Sequence, residues 1–308
     1  MKILIVGTGV IGTLYGHALS KYHEVIHFVR EDKLKIMNER NILYDIIDER
    51  EKEENMYTTG EYTYKCISRV DCDYDLIIVP VNTYQLKNIL ETLIKQTPNA
   101  NYLLFTLNWS GTDKIDKLLK KEQYIMGYAG GGGTFKGNLL WGNVGNDVML
   151  GAVYEEQKPL LDNAIEMFKT CGIIPEIPSN VLHWLWIHNV GASPIGVGLS
   201  KYNDIIRYLE DEELVETCFK AMNECYNLCE KRGVDLSQYP EVEMFKMSFS
   251  NLYPMFKKNF EENSIMQRYT AHALLAIDEM NDNFKQMFEL GKEIGIDMTN
   301  MKELMKLL

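Results

Sequence analysis

Lys2-Ile3-Leu4-Ile5-Val6 runs directly into Gly7-Thr8-Gly9-Val10-Ile11-Gly12, and the reading of this stretch decides the fold of the N-terminal half. The first five residues are apolar and β-branched without polar alternation, as expected of a parallel strand buried on both faces. An amphipathic pattern, Gly12–Lys21, and a second strand-like run, Glu24–Val29, follow in order. In that context the glycine spacing has a mechanical meaning. Gly7 permits the tight turn, Gly9 lets the backbone approach a pyrophosphate, and Gly12 lets helix and strand pack closely, while the helix N-terminus favours negative charge. The segment Gly7, Thr8, Gly9, Val10, Ile11, Gly12 is therefore expected to bind a dinucleotide. A flavin dinucleotide would use the same loop, and a glycine-rich turn with no ligand is the bland alternative.

Outward from this loop, Leu76–Val81 and Tyr102–Leu107 read as further buried strands, with a helix at Gln85–Lys95 between them. Tyr44 to Tyr74 is polar and acidic and is expected to form a hairpin or irregular insertion. Gly127–Gly151 reads as strands with turns, although the Gly130–Gly133 run resists assignment. After Pro175 and Pro178 the strand signals fade, and helical patterns cover Val181–Gly191, Asp211–Arg232, Glu241–Phe260 and Thr270–Ile294. These patterns predict an α/β protein, a Rossmann-type doubly wound parallel sheet over residues 1–178 followed by an all-helical domain over 179–308. The Pro175–Pro178 segment reads as a hinge.

Composition narrows the function. The 308 residues carry a net charge of −12 and a sequence pI near 5.1, with no basic run, so nucleic acid is not expected as a partner. The N-terminal apolar run is too short for a signal peptide, and the apolar region Val181–Leu199 is interrupted by His183, His188, Asn189, Ser193 and Pro194. No membrane partner and a cytoplasmic location are expected. The six cysteines are scattered; Cys218, Cys225 and Cys229 share a helical face and read as small buried side chains rather than a metal site. The run Met244, Phe245, Met247, Phe249, Leu252, Tyr253, Met255, Phe256, Phe260 forms an apolar face suited to core or homodimer contact. At the end of the second strand, Arg30 suits the 2′-phosphate of NADP, and the adjacent Glu31 keeps NAD open.

With these residues in view, the chain resembles the ketopantoate reductase (2-dehydropantoate 2-reductase) family over nearly its full length. Beside the glycine loop, the resemblance is carried by Val79-Pro80-Val81-Asn82-Thr83-Tyr84-Gln85, Leu107-Asn108-Trp109-Ser110-Gly111, His183 through Pro194, Asn223-Glu224, and Asp278-Glu279 ahead of Gly295-Ile296. It implies a helical domain like the C-terminal part of 6-phosphogluconate dehydrogenase, a cleft for substrate, and NADPH-dependent reduction of a small 2-keto acid in pantothenate biosynthesis. By residue matching, Asn108 would contact cofactor or substrate, Asn82 the cofactor, Asn189 the substrate hydroxyl or carboxylate, and Glu279 the substrate.

The resemblance also exposes departures. The family's proton-donating lysine corresponds to Leu185, and its cofactor-contacting lysine to Asn82. General acid catalysis contributes on the order of 10²–10⁴-fold, so a replacement is needed for ordinary turnover. His188, beside Asn189, is the candidate donor near neutral pH; a structural histidine among Trp184 and Trp186 is the alternative. A substrate-binding serine falls on Ser264 or Thr270. Two other functions fit the same features: a non-catalytic dinucleotide-binding sensor or scaffold, and a related dehydrogenase with another hydroxy-acid or opine-like substrate.

Overall fold

The computed structural model describes residues 1–271 and 276–308 and divides into two compact units, Met1–Leu182 and His183–Leu308. The first unit runs β1 (Lys2–Val6), α1 (Val10–Ser20), β2 (Glu24–Phe28), α2 (Glu31–Glu39), β3 (Asn41–Asp48), β4 (Tyr57–Thr63), β5 (Cys66–Ile67), β6 (Leu76–Pro80), α3 (Thr83–Ile94) and β7 (Tyr102–Phe105). It continues with β8 (Tyr124–Lys136), β9 (Leu139–Gly151), α4 (Lys158–Thr170) and β10 (Ile174–Glu176).

The strands form a single sheet ordered β4-β3-β9-β8-β7-β6-β1-β2-β5, with β10 joined to β9. Pairing is parallel from β8 through β7, β6, β1 and β2 to β5. It is antiparallel between β8 and β9 and between β3 and β4. The expected α/β class therefore holds: the sheet is mostly parallel, and its far half becomes mixed because the β8–β9 hairpin reverses direction without a helical crossover. The acidic insertion resolves as the β3–β4 hairpin, and β3 also pairs in parallel with the first half of β9.

The unassigned glycine run lies inside β8. A register shift falls between Ala129 and Gly131, and Gly131 takes φ +109°, as a bulge built on glycine requires. The core beneath the sheet gathers Ile3, Ile5, Leu14, Ile78, Leu103, Ile125, Leu150 and Phe168, all almost fully buried.

One ion pair closes this unit. Arg50, just past β3, makes two hydrogen bonds to Asp48, at 2.8 and 2.7 Å, and donates to the carbonyls of Ala18 and Cys171 at 3.2 and 3.1 Å. Both side chains are buried. The guanidinium thus satisfies orphan carbonyls at the C-terminal ends of α1 and α4, where helix dipoles favour positive charge.

The second unit is helical among the described residues: α5 (Val181–Ser200), α6 (Ile205–Glu210), α7 (Glu212–Lys231), α8 (Pro240–Met244), α9 (Phe249–Lys258), α10 (Ile265–Thr270), α11 (Ile277–Ile294) and α12 (Thr299–Leu304). Helix α5 begins in the last residues of the first unit and continues well past Gly191 through Pro194, so the proline does not end it. The expected helix 241–260 is instead two, α8 and α9, separated by Phe245–Ser248. The expected helix from Thr270 is also revised: Thr270 ends α10, α11 starts at Ile277, and residues 272–275 lie outside the described residues.

The apolar face splits in function. Phe219 packs on Phe245, Phe249 and Phe256, while Met244, Met247 and Met255 are exposed. Cys218, Cys225 and Cys229 are buried, and burial raises their thiol pKa values, which keeps them protonated and inert. No helix among the described residues is long and apolar enough to cross a membrane.

Candidate dinucleotide and substrate sites

β1 is flanked by β2 on one side and β6 on the other, so the chain reverses its winding direction there. At such a switch point the loops beyond the strand C-termini diverge and leave room for a ligand. The candidate residues of the first unit all stand at this edge, beyond the adjacent parallel strands β2, β1, β6 and β7: Arg30, Gly7–Gly12, Asn82 and Asn108.

The loop itself fits a dinucleotide. Gly7 adopts φ +86°, which favours glycine, and its N–H donates to the Phe28 carbonyl at 2.8 Å, tying the loop to the end of β2. Gly9 is the N-cap of α1 and makes no side-chain cap bond. A Cβ at Gly12 would stand 2.9 Å from the Gly7 carbonyl oxygen, so this glycine is required by helix-to-loop packing. A Cβ at Gly9 would meet nothing within 4 Å. The protein has no steric need for glycine there; the space beside it is what a pyrophosphate would occupy. Val10 is buried, and Thr8 and Ile11 are half-buried.

Arg30 is the N-cap of α2 and extends into solvent, 3.7 Å from Asp32. The neighbouring Glu31 carboxylate accepts a hydrogen bond from Ser68. Asn82 caps α3 by its backbone, and its amide donates to the Tyr84 hydroxyl at 3.0 Å. Thr83 hydrogen-bonds to Thr106 and to the Leu107 carbonyl, linking the α3 start to the turn after β7. In that turn Asn108 is buried; its amide donates to the Gly111 carbonyl and its oxygen accepts from Ser110 at 3.3 Å.

Sequence reading missed what lies under the loop. His27 on β2 is fully buried, with Nδ1 2.9 Å from the Gly7 carbonyl oxygen and Nε2 2.9 Å from the Tyr62 hydroxyl. Burial pushes its pKa down to about 4, against the smaller opposing effect of the Gly7 carbonyl. Thr13 Oγ lies 2.8 Å from the Gly9 carbonyl oxygen and 2.7 Å from the Tyr64 hydroxyl. A Cβ at Gly16 would come 2.5 Å from His27 Nε2 and 2.6 Å from the Tyr62 oxygen, so Gly16 makes room for that pair. The only trace in the sequence was a glycine one turn beyond Gly12 and a histidine in an otherwise apolar strand.

The other candidates belong to the second unit. Asn189 is fully buried on α5; its oxygen accepts from Ser193 at 2.8 Å, and its Nδ2 has no hydrogen-bond partner among the described residues. His188 stacks on Trp184, with centroids 5.0 Å apart and planes 9° from parallel. Leu185 is 1% exposed. Glu279 is buried in the first turn of α11, and one turn on Asn283 is buried with its Nδ2 also unpartnered among the described residues. Helices α5 and α11 run close together: a Cβ on Gly196 would come 2.5 Å from Met280 Sδ.

Ser264 caps α10, accepting from the Gln267 N–H at 3.1 Å, and Thr270 donates to the Met266 carbonyl. Glu224 accepts from the Asn300 and Met301 N–H groups at the start of α12, a capping arrangement. The buried Arg268 also escaped sequence reading. No group of three or more His, Cys, Asp or Glu side chains among the described residues is placed to hold a metal ion.

The ternary structure of D-mandelate dehydrogenase with NADH and anilino(oxo)acetate is similar at TM-score 0.72 and 16% identity, over 100% of this chain and 97% of that one. A dimeric ketopantoate reductase from Staphylococcus aureus is similar at TM-score 0.69 and 12% identity, over 99% and 96%. At such identities the likeness speaks for the fold. A curated 2-dehydropantoate 2-reductase from Pyrococcus abyssi is 22% identical over 310 aligned residues, covering 96% of this chain and 93% of the relative. Residues 3–145, in the first unit, match the family model described as ketopantoate reductase PanE/ApbA.

Proposed function

We propose that this protein is a nicotinamide-dinucleotide-dependent oxidoreductase acting on a CH–OH/C=O pair, reducing a small 2-keto acid of the ketopantoate type, with NADPH preferred to NADH. The observation that carries the reading is the convergence of Gly7–Gly12, Arg30, Asn82 and Asn108 at the β1 switch point, with open space beside Gly9. Bound there, the reduced nicotinamide supplies the hydride. The chain's own residues supply the rest. The α1 N-terminus and loop N–H groups receive the pyrophosphate, and Arg30 receives the 2′-phosphate, while Glu31 is engaged by Ser68. Asn82 and Asn108 line the same edge as cofactor-binding residues.

Reduction of a ketone builds alkoxide charge on its oxygen, which calls for a hydrogen-bond donor and a proton. In this reading Asn189 Nδ2, buried with no partner among the described residues, binds the substrate oxygen, and Glu279 holds a substrate hydroxyl. His188 supplies the proton, its ring orientation set by the stack on Trp184. The likeness to D-mandelate dehydrogenase supports including aryl 2-keto acids among the substrates tested, and that to a dimeric reductase supports a homodimer.

A second reading, a dinucleotide binder without turnover, is favoured by the buried Leu185 at the position where the family resemblance implies a lysine. NADPH and NADH oxidation by the purified protein, with ketopantoate and a panel of alkyl and aryl 2-keto acids, decides between them. Turnover that collapses in Asn189→Ala and Glu279→Ala is the expected result. Tight dinucleotide binding with no turnover on any acid would sink the catalytic reading.

A further inference from the structure

The β3–β4 hairpin has no place in the proposed reaction, yet it reaches the underside of the glycine loop through two side-chain relays. A carbonyl can only accept, so His27 Nδ1 carries the proton and donates to Gly7, and Nε2 must accept from the Tyr62 hydroxyl on β4. This fixes a single neutral tautomer. The same logic orders the second relay: Thr13 Oγ donates to the Gly9 carbonyl, so the Tyr64 hydroxyl, one residue beyond β4, donates to Thr13 Oγ. Each loop carbonyl that points inward is therefore held by a donor, and each donor is backed by a tyrosine.

The consequence follows from peptide geometry. In a trans peptide the carbonyl and the next N–H point in opposite directions. Holding the Gly7 and Gly9 carbonyls inward turns the Thr8 and Val10 N–H groups outward, to the side where Gly9 leaves open space. Gly16 completes the arrangement, since any side chain there would displace His27 and Tyr62.

We infer that His27 and Thr13, backed by Tyr62 and Tyr64, are positioning residues that preset the glycine loop for the dinucleotide phosphates, with the hairpin as their support. The inference rests on the proposed reading of the loop as a dinucleotide site. Without the His27 relay the Gly7 peptide unit can rotate, whereas the Gly9 carbonyl keeps its bond from the Thr13 N–H at 2.8 Å and the Thr13 hydroxyl only reinforces it; the order lost at Gly7 must be restored at the moment of binding, which weakens affinity. The hydride step, once cofactor is bound, is unaffected.

The test is NADPH titration of the full chain, with the unliganded melting midpoint and kcat measured in parallel. His27→Phe is expected to raise Kd by about tenfold or more while kcat at saturating NADPH changes by less than about twofold. His27→Asn, which places an amide donor near the position of Nδ1, recovers most of that affinity. Tyr62→Phe removes one hydroxyl and raises Kd by about three- to tenfold, and Thr13→Val, which keeps the Thr13 N–H bond to the Gly9 carbonyl, raises it by about twofold; these variants carry the test if His27→Phe does not fold. Leu160→Ala, a core truncation on α4, lowers the midpoint and leaves Kd unchanged.

Wild-type affinity in His27→Phe, Tyr62→Phe and Thr13→Val overturns the inference while the loop's role stands. A Kd in Leu160→Ala raised as far as in His27→Phe also overturns it, since loss of stability would then account for the effect. A flat titration of the unsubstituted chain with both NADPH and NADH removes the dinucleotide reading itself, and this inference with it.

Discussion

The glycine loop of the first unit and the polar face of α5 in the second are both candidate ligand sites, but they are built in opposite ways. The loop offers backbone. Its candidate ligating groups are N–H donors within six consecutive residues, and the side chains around it bond to the loop carbonyls. The α5 face offers side chains. Asn189 and Ser193 lie one turn apart and bond to each other, and their companions Glu279 and Asn283 lie far along the chain on another helix. A backbone site tolerates change in most of its side chains and almost none in its glycines. A side-chain site can keep its scaffold and lose its chemistry through one substitution.

The sharpest way to break the comparison is to put side chains where the backbone works. Gly12→Leu must displace the Gly7 carbonyl, so dinucleotide binding should fall by more than about 100-fold and stability by roughly 1–3 kcal/mol. Gly9→Ala separates the two effects: the fold has room for the methyl, so the melting midpoint should hold while affinity drops at least about tenfold. A Gly9→Ala protein with normal affinity would mean that nothing approaches the loop closely there.

Acid should next distinguish the two units. His17 and His27, both in the first unit, have pKa values pushed down to about 4 by burial, below the unfolded value near 6.5. The unfolded chain therefore binds protons that the folded chain does not. Stability is full above about pH 6.5 and declines as pH falls towards 4, by an amount on the order of a few kcal/mol. In the second unit His183 is shifted the same way, by desolvation and by Arg232, but is far less buried. Denaturant unfolding followed at pH 7, 5.5 and 4.5 should show the first unit losing more stability; equal losses would contradict the burial argument.

Asn189→Ala should lower turnover by about 10- to 100-fold with NADPH affinity unchanged, since its Nδ2 has no partner to lose among the described residues. Unchanged turnover would leave that buried amide without a role in the reaction. The smallest effect is expected at Arg30. Arg30→Ala should weaken NADPH by about tenfold and leave NADH alone, as befits one exposed cation meeting one phosphate. Equal loss for both cofactors would place Arg30 away from the 2′-phosphate.

The same contrast explains what could be read from the sequence. Strands β1, β2, β6 and β7 were legible to within about two residues, because a buried parallel strand must be an uninterrupted apolar run and a glycine loop must keep its spacing. The β8–β9 hairpin was harder. Its glycines suggested a flexible run, whereas neighbouring strands press so close that a Cβ at Gly127, Gly131 or Gly133 would collide with backbone. The helix boundaries in the second unit failed where turn residues are ordinary, as at Phe245–Ser248, or where a proline sits within a helix, as at Pro194. The relay under the loop was illegible because it joins residues 13, 27, 62 and 64 through hydrogen bonds that leave no periodic trace.

Arg50 carries one consequence for the order in which the chain assembles. Its guanidinium joins Ala18 to Cys171, so the clamp is complete only after more than 150 residues of intervening chain have been gathered. Closing a loop of that length costs entropy before the contact rewards it, so this clamp is expected to form late in folding. Loss of the clamp in Arg50→Met, which strands the buried Asp48 carboxylate, should accordingly leave the refolding rate nearly unchanged and appear as faster unfolding. On that expectation the clamp is a latch on the finished structure, and refolding slowed as much as unfolding is hastened would overturn it.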